Sequence, residues 1–145
     1  IQPVYKNYWE TVVKPHVDGK FIEYVGEVGM KDKVELLGNS KAMLFPVQWD
    51  EPFGLVMIEA MACGTPVLAL PGGSVVEVVK EGVSGNVRGA AAELAECARK
   101  LDIPAPIIRG YMEEYFSVDR MTRDYITLYS EILRDGVAET EQIVA

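Results

Sequence analysis

Histidine is almost missing from this chain and cysteine is scarce: one His and two Cys in 145 residues. With His16 alone, a histidine-based metal site or a Ser-His-Asp triad has no material to be built from. Cys63 and Cys97 lie outside any metal-ligand spacing, and two scattered thiols suit a reducing cytosol better than a disulfide scaffold. No apolar run reaches the roughly 20 residues that a membrane-spanning helix needs, and no signal-peptide pattern is visible. Positive charge is also short, with 14 Lys and Arg against 22 Asp and Glu, a formal charge of −8. That balance turns the protein away from nucleic acid and anionic membranes as main partners. A small anion is still admissible, because backbone amides can bind one locally.

What is present is ordinary for a globular domain, with 49% apolar and 25% charged residues. Pro3, Val4, Tyr8, Val12 and Val13 predict an amphipathic helix with Pro15 near its end. Residues 21–25 predict a short strand ending at Gly26, and residues 31–37 a helix stopped by Gly38 and Asn39. Residues 42–45 predict a buried strand that leads into a polar loop through Trp49, Asp50 and Glu51. A helix follows over 52–63, then a second buried strand over 67–70, capped by Pro71, Gly72 and Gly73. Residues 75–80 predict a short helix and residues 82–87 a turn with a small strand. Residues 90–101 are helical, with Ala91, Leu94, Ala95, Ala98 and Leu101 on one face. Residues 106–116 form another helix. The last helix, 118–134, turns Met121, Tyr125, Leu128, Tyr129 and Ile132 inward, and the acidic tail from Gly136 frays.

Short apolar strands alternating with helices predict an α/β fold, a Rossmann-like parallel sheet flanked by helices. About four strands are few for a doubly wound sheet. The expectation is therefore a domain over 1–135 that lacks one or two strands upstream of Ile1, followed by a tail over 136–145.

The chemistry concentrates after the strand at 42–45, where ligands gather in open α/β sheets. Pro52 suits a first helical position, and the amides of Phe53, Gly54 and Leu55 then have no intrahelical acceptor. Gly54 allows close approach to the backbone. Free amides at the positive end of a helix make a diphosphate site. Glu59 is the only charge in an apolar helix and needs a partner if that helix is buried on most sides. Its side chain leans toward the helix start, where a ribose diol would supply two hydroxyl donors. Glu51, just before the helix, suits sugar hydroxyls or the positive charge that develops at an anomeric carbon. Helix physics admits plainer roles equally: Glu51 as an N-terminal acid stabilised by up to about 1 kcal/mol, and Glu59 as the partner of a Lys or Arg on a neighbouring helix.

The run EPFGLVMIEAMACGTPVLA, followed by GGSVVEVVKEGVSGNV, resembles the donor-site signature of glycosyltransferase family four, the group 1 glycosyl transferases. Glu51 and Glu59 match that family's two glutamates, with seven residues between them. The resemblance covers residues 21–87 well and the later helices more loosely. It implies the C-terminal half of a GT-B fold and a retaining, metal-independent hexosyltransferase; no Asp-x-Asp metal motif occurs here. By resemblance Glu51 contacts the donor sugar as the catalytic-site acid, and Glu59 binds the ribose hydroxyls. The amides of Phe53, Gly54, Leu55 and Val56 hold sugar and diphosphate, while Val25 and Gly26 border the base. No cofactor is implied beyond the donor substrate, a nucleoside-diphosphate sugar with UDP ahead of GDP. The acceptor, and the basic pair that grips the diphosphate, are expected upstream of Ile1, so the chain alone is expected to bind donor weakly and transfer nothing. The expected place is the cytoplasm, with peripheral membrane association through that upstream part. Rival functions are a sugar-nucleotide epimerase or phosphorylase half on the same fold, and a non-catalytic nucleotide-sugar-binding module.

Other residues have plain structural readings. Gly72 and Gly73 suit a strand-to-helix turn as well as a close ligand approach, and Glu77 needs no role beyond a solvated helix face. Trp49 either lines the sugar pocket or packs under its loop. Cys63 reads as a buried, inert thiol, and Trp9 and the tyrosines of the last helix as core.

Overall fold

The computed structural model describes the backbone of residues 3–144 and the side chains of residues 4–134. It divides into two compact units, Ile1–Lys33 and Val34–Ala145, and each is described by itself.

In the first unit the expected N-terminal helix forms, but its winding changes every few residues. A 3₁₀ turn at Pro3–Tyr5 leads into α1 (Lys6–Tyr8), a π-helical turn at Trp9–Val13, and a second 3₁₀ turn at Lys14–His16. Two features disturb the regular ladder. Thr11 Oγ1 donates back to the Asn7 carbonyl at 2.7 Å, and Pro15 has no amide to offer. Trp9 is not core; it is half-buried and stacks on Tyr24 with ring centroids 4.5 Å apart.

Residues 21–25 are not a strand, contrary to the expectation. Asp18 captures the backbone that a ladder would need. Its Oδ1 accepts the amides of Lys20, Phe21 and Ile22 at 2.9, 2.8 and 3.0 Å, while the Ile22 carbonyl accepts from Asp18 and Gly19. An apolar run becomes a strand only where another strand can pair with it, and the described residues of this unit supply none. Phe21, Ile22, Tyr24 and Val25 are all exposed. Helix α2 (Met30–Gly38) begins here and ends in the second unit, where Leu37 is buried.

The second unit carries the expected α/β architecture, a parallel sheet flanked by helices. Its elements are β1 (Met43–Phe45), α3 (Leu55–Ala62), β2 (Val67–Ala69), α4 (Val75–Val78), β3 (Gly85–Val87), α5 (Ala91–Lys100), α6 (Ala105–Phe116) and α7 (Val118–Val144). The strands run parallel in the order β1-β2-β3, with Leu44 beside Leu68 and Leu68 beside Asn86. Only the central strand β2 is wholly buried. Leu44 on β1 is 62% exposed, so the strand expected to be buried is an edge here.

Val67 and Ala69 of β2 pack into the main core with Met57, Ala60 and Met61 of α3 and Ile108 of α6. Leu68 points to the other face, toward α5, where Leu94 is also buried. Of the face predicted for this helix, Ala91 and Ala95 remain exposed. Arg109 on α6 ties α6 to α3 by donating to the carbonyls of Ala62 and Cys63, both at 3.2 Å, which answers two orphan acceptors at the end of α3. Both cysteines are free and half-buried.

Two expectations about helices are corrected. Helix α3 buries one side only, since Leu55 is 65% exposed and Val56 38%. In α7 the residues expected to face inward, Met121, Tyr125, Leu128, Tyr129 and Ile132, are all exposed, because the elements packed against the helix do not reach that stripe. The helical assignment of α7 runs to Val144.

Candidate functional site

Parallel strands bring their carboxyl ends to the same edge of a sheet, and the loops that leave them must meet there. After β1 the chain turns through residues 46–54, and after β2 through residues 70–74. The two loops are sewn together by backbone bonds. Ser74 donates its amide to the Glu51 carbonyl at 2.9 Å, and Leu70 donates to Phe45 at 3.2 Å. The Gly73 amide reaches Asp50 Oδ1 at 3.3 Å. Gly73 fits because it has no side chain: a Cβ there would lie 2.5 Å from the Glu51 nitrogen and 2.8 Å from the Asp50 carbonyl carbon. With φ at +49°, it also occupies the left-handed region. Gly73 therefore serves the protein's own packing, pressed against the backbone of Asp50 and Glu51.

Between the loops lies an open cavity of about 460 Å³, walled by Asp50, Glu51, Pro52 and Phe53 on one side and Gly73, Ser74 and Glu77 on the other. Val78 and Phe116 complete its lining. Half-buried Glu51 is fixed by two bonds. Its Oε1 accepts the Gly54 amide and its Oε2 the Trp49 indole N–H, each at 3.1 Å. Those bonds use two of the roughly four acceptor positions of an ionised carboxylate, so hydroxyl donors can still be received. Trp49 is 65% exposed, does not line the cavity, and serves to orient Glu51.

Helix α3 starts three residues later than the sequence suggests. Pro52 is not its first residue; Gly54 is the N-cap, at φ 74° and ψ 62°. Left-handed backbone is open to glycine and costly elsewhere, so the chain reverses at Gly54, and the Glu51 carboxylate takes the Gly54 amide on the way. Met57 donates back to the Gly54 carbonyl at 2.9 Å, which leaves Leu55 and Val56 as first-turn amides without an intrahelical acceptor. Half-buried Glu59 lies one turn on, three and four residues after these two, and so shares their face. It has an interaction partner within the chain.

The structure thus brings Glu51 and Phe53 into one cavity wall, with Gly54 buried behind them and Leu55, Val56 and Glu59 on the adjoining helix face. Phe53 meets Phe116 edge-on, at 6.2 Å between ring centroids, and separates this cavity from an apolar groove of about 660 Å³ between α3 and α7. Val25 and Gly26 belong to the first unit, where both are exposed and Gly26 has φ 71°. Sequence reasoning passed over Ser74, Val78 and Phe116 as wall residues. Ser74 followed the Gly-Gly pair and carried no charge to draw notice, and Phe116 comes from a helix more than 60 positions from Glu51.

Three comparisons bear on this geometry. The chain is 31% identical over 118 residues to N-acetyl-alpha-D-glucosaminyl L-malate synthase of Bacillus anthracis, covering 74% of this chain and 31% of that protein. It is 34% identical over 115 residues to a probable sucrose-phosphate synthase of Thermosipho melanesiensis, covering 76% and 27% respectively. It is 29% identical over 137 residues to D-inositol 3-phosphate glycosyltransferase of Salinispora tropica, covering 79% and 28%. The chain thus spans about a third or less of the length of these relatives. The family model described as "Glycosyl transferases group 1" matches residues 18–102, a stretch that holds both cavity loops and the start of α3. On the strength of that match, this chain belongs to the group 1 glycosyl transferases.

Proposed function

We propose that this chain holds the donor of a hexosyl transfer reaction, a nucleoside-diphosphate sugar with UDP ahead of GDP, and that the sugar passes to an acceptor with retained configuration and without a metal ion. The observation that carries this is a single juxtaposition: an oriented carboxylate, Glu51, in a cavity wall, beside first-turn amides with no intrahelical acceptor at Leu55 and Val56, and a second carboxylate one turn along the same helix face. Sugar hydroxyls are donors and suit Glu51. A diphosphate is an acceptor and suits the amides at the positive end of α3. Ribose hydroxyls suit Glu59, whose side chain leans back toward the helix start. As the bond to the diphosphate lengthens, the amides stabilise the departing oxygen while Glu51 faces the positive charge on the sugar.

Membership of the family and the names of the relatives support the transferase class. The assignment of Val25 and Gly26 to the base rests on sequence resemblance alone. The acceptor is assigned to another part of the full protein, and its site of action to the cytoplasm or the membrane surface. No helix among the described residues is long and apolar enough to cross a membrane.

The test is calorimetric titration of the chain with UDP-glucose and GDP-mannose, in buffer with EDTA. One of the two binds, and Glu59→Ala weakens it about tenfold or more, the loss expected for hydrogen bonds to a charged group. Unchanged affinity in that variant would remove the ribose role, and binding only after metal addition would remove metal independence.

A further inference from the structure

Ser74 holds the one buried side-chain oxygen or nitrogen among the described residues that has no hydrogen-bond partner. The residue is 8% exposed and lines the cavity that holds Glu51. A buried hydroxyl left unsatisfied is costly, and native proteins keep few, so its presence needs a cause.

The local causes are absent. Ser74 occupies the N-cap of α4, where a serine hydroxyl ordinarily accepts an amide from the first turn, yet it makes no such bond. Its main chain is fully used: the amide donates to Glu51, and the carbonyl accepts from Glu77 and Val78, each at 2.9 Å. The backbone thus fixes the Cβ, and the hydroxyl, buried in this rotamer and held by no protein group, can turn about the Cα–Cβ bond toward the cavity that its residue lines. Gly73, locked against Asp50 and Glu51, prevents the loop from sliding to relieve it.

The walls indicate what the missing partner is. Asp50, Glu51 and Glu77 line the same cavity, and no Lys or Arg does. A phosphate there would meet like charge. A neutral sugar would bring hydroxyls, which donate to carboxylates and can both donate to and accept from a serine.

We propose that Ser74 Oγ is a sugar contact of the donor site, making a hydrogen bond to a ring hydroxyl of a neutral hexose, and that it takes no part in holding the nucleotide. This rests on the donor-site function proposed above and assigns a residue within it.

The test compares Ser74→Ala with the wild-type chain by calorimetry, using UDP-glucose, GDP-mannose, UDP and GDP, alongside thermal unfolding. The expected result is about fivefold weaker binding of the nucleotide sugar, the loss of one neutral hydrogen bond. Affinity for the matching free nucleoside diphosphate stays within about twofold, and Tm does not fall, because the hydroxyl removed had no partner. Equal losses for sugar-bearing and sugar-free ligands would overturn the assignment, as would no loss for either. A Tm lowered by more than about 5 °C would give the hydroxyl a structural role instead. If the wild type binds no nucleotide sugar at all, the donor-site function itself fails. If it binds one, and Glu59→Ala weakens it while Ser74→Ala does not, only the Ser74 assignment fails.

Discussion

Residues 18–25 and residues 42–54 look alike as sequence: each has a short apolar run beside a loop that carries an acid and a glycine. They become different structures. In the second stretch Met43, Leu44 and Phe45 pair with β2, and Phe45 is 8% exposed. In the first, Ile22 is 51% exposed and the backbone is tied to Asp18. The acids differ in parallel. Asp18 spends one oxygen on three amides of its own turn, whereas Glu51 divides its oxygens between Gly54 and Trp49 and keeps acceptor capacity toward a cavity. Both acids are held by their own turns; Glu51 keeps capacity for a ligand because each of its oxygens accepts only one of these bonds and the fold sets it in a cavity wall.

The largest effect that would break this contrast lies at Gly73. Gly73→Ala forces a Cβ into the backbone of Glu51 at a positive φ, and should cost the second unit about 4 kcal/mol in chemical denaturation. A loss below about 1 kcal/mol would mean that the two loops are not locked together as described. Next comes a matched pair of truncations. Leu68→Ala removes a fully buried side chain from the central strand and should cost about 3 kcal/mol, while Ile22→Ala should stay within about 0.5 kcal/mol. Comparable losses at both positions would show that residues 21–25 are buried after all.

The smallest effect is a titration. The backbone amides of Ile22, Lys20 and Phe21, in that order of weight, hold the Asp18 carboxyl below its ordinary value of 3.8. A carboxyl lowered in the folded state stabilises its turn above the ordinary value and releases it as pH falls through the lowered one. The amide resonances of residues 20–22 should therefore shift together in NMR with a midpoint below 3.8. A midpoint at or above that value would contradict the turn.

Much of the second unit was legible because its signals are local. The apolar runs at 42–45 and 67–70, the glycine after Cys63 and the acidic, glycine-rich loops place β1, β2, α3 and the cavity within a few residues of where they are found. The start of α3 was misplaced because Pro52 suits a first helical turn on propensity, while the actual start is decided by Gly54 turning left-handed against Glu51. The stripe on α7 was misread for a related reason. Helical spacing shows which residues share a face, but not whether anything packs on it.

The sequence by itself determined the α/β alternation, the family and the two glutamates, because periodicity, turn residues and a long motif are written along the chain. Only the tertiary structure decided that residues 21–25 are no strand, that Gly73 is locked under Glu51, and that Ser74 is buried without a partner beside three carboxylates. Each of these depends on groups brought together by the parallel sheet or, for residues 21–25, on a partner strand that the described residues do not supply. Hydrogen bonding and burial are relations between segments, and no single segment of sequence contains them.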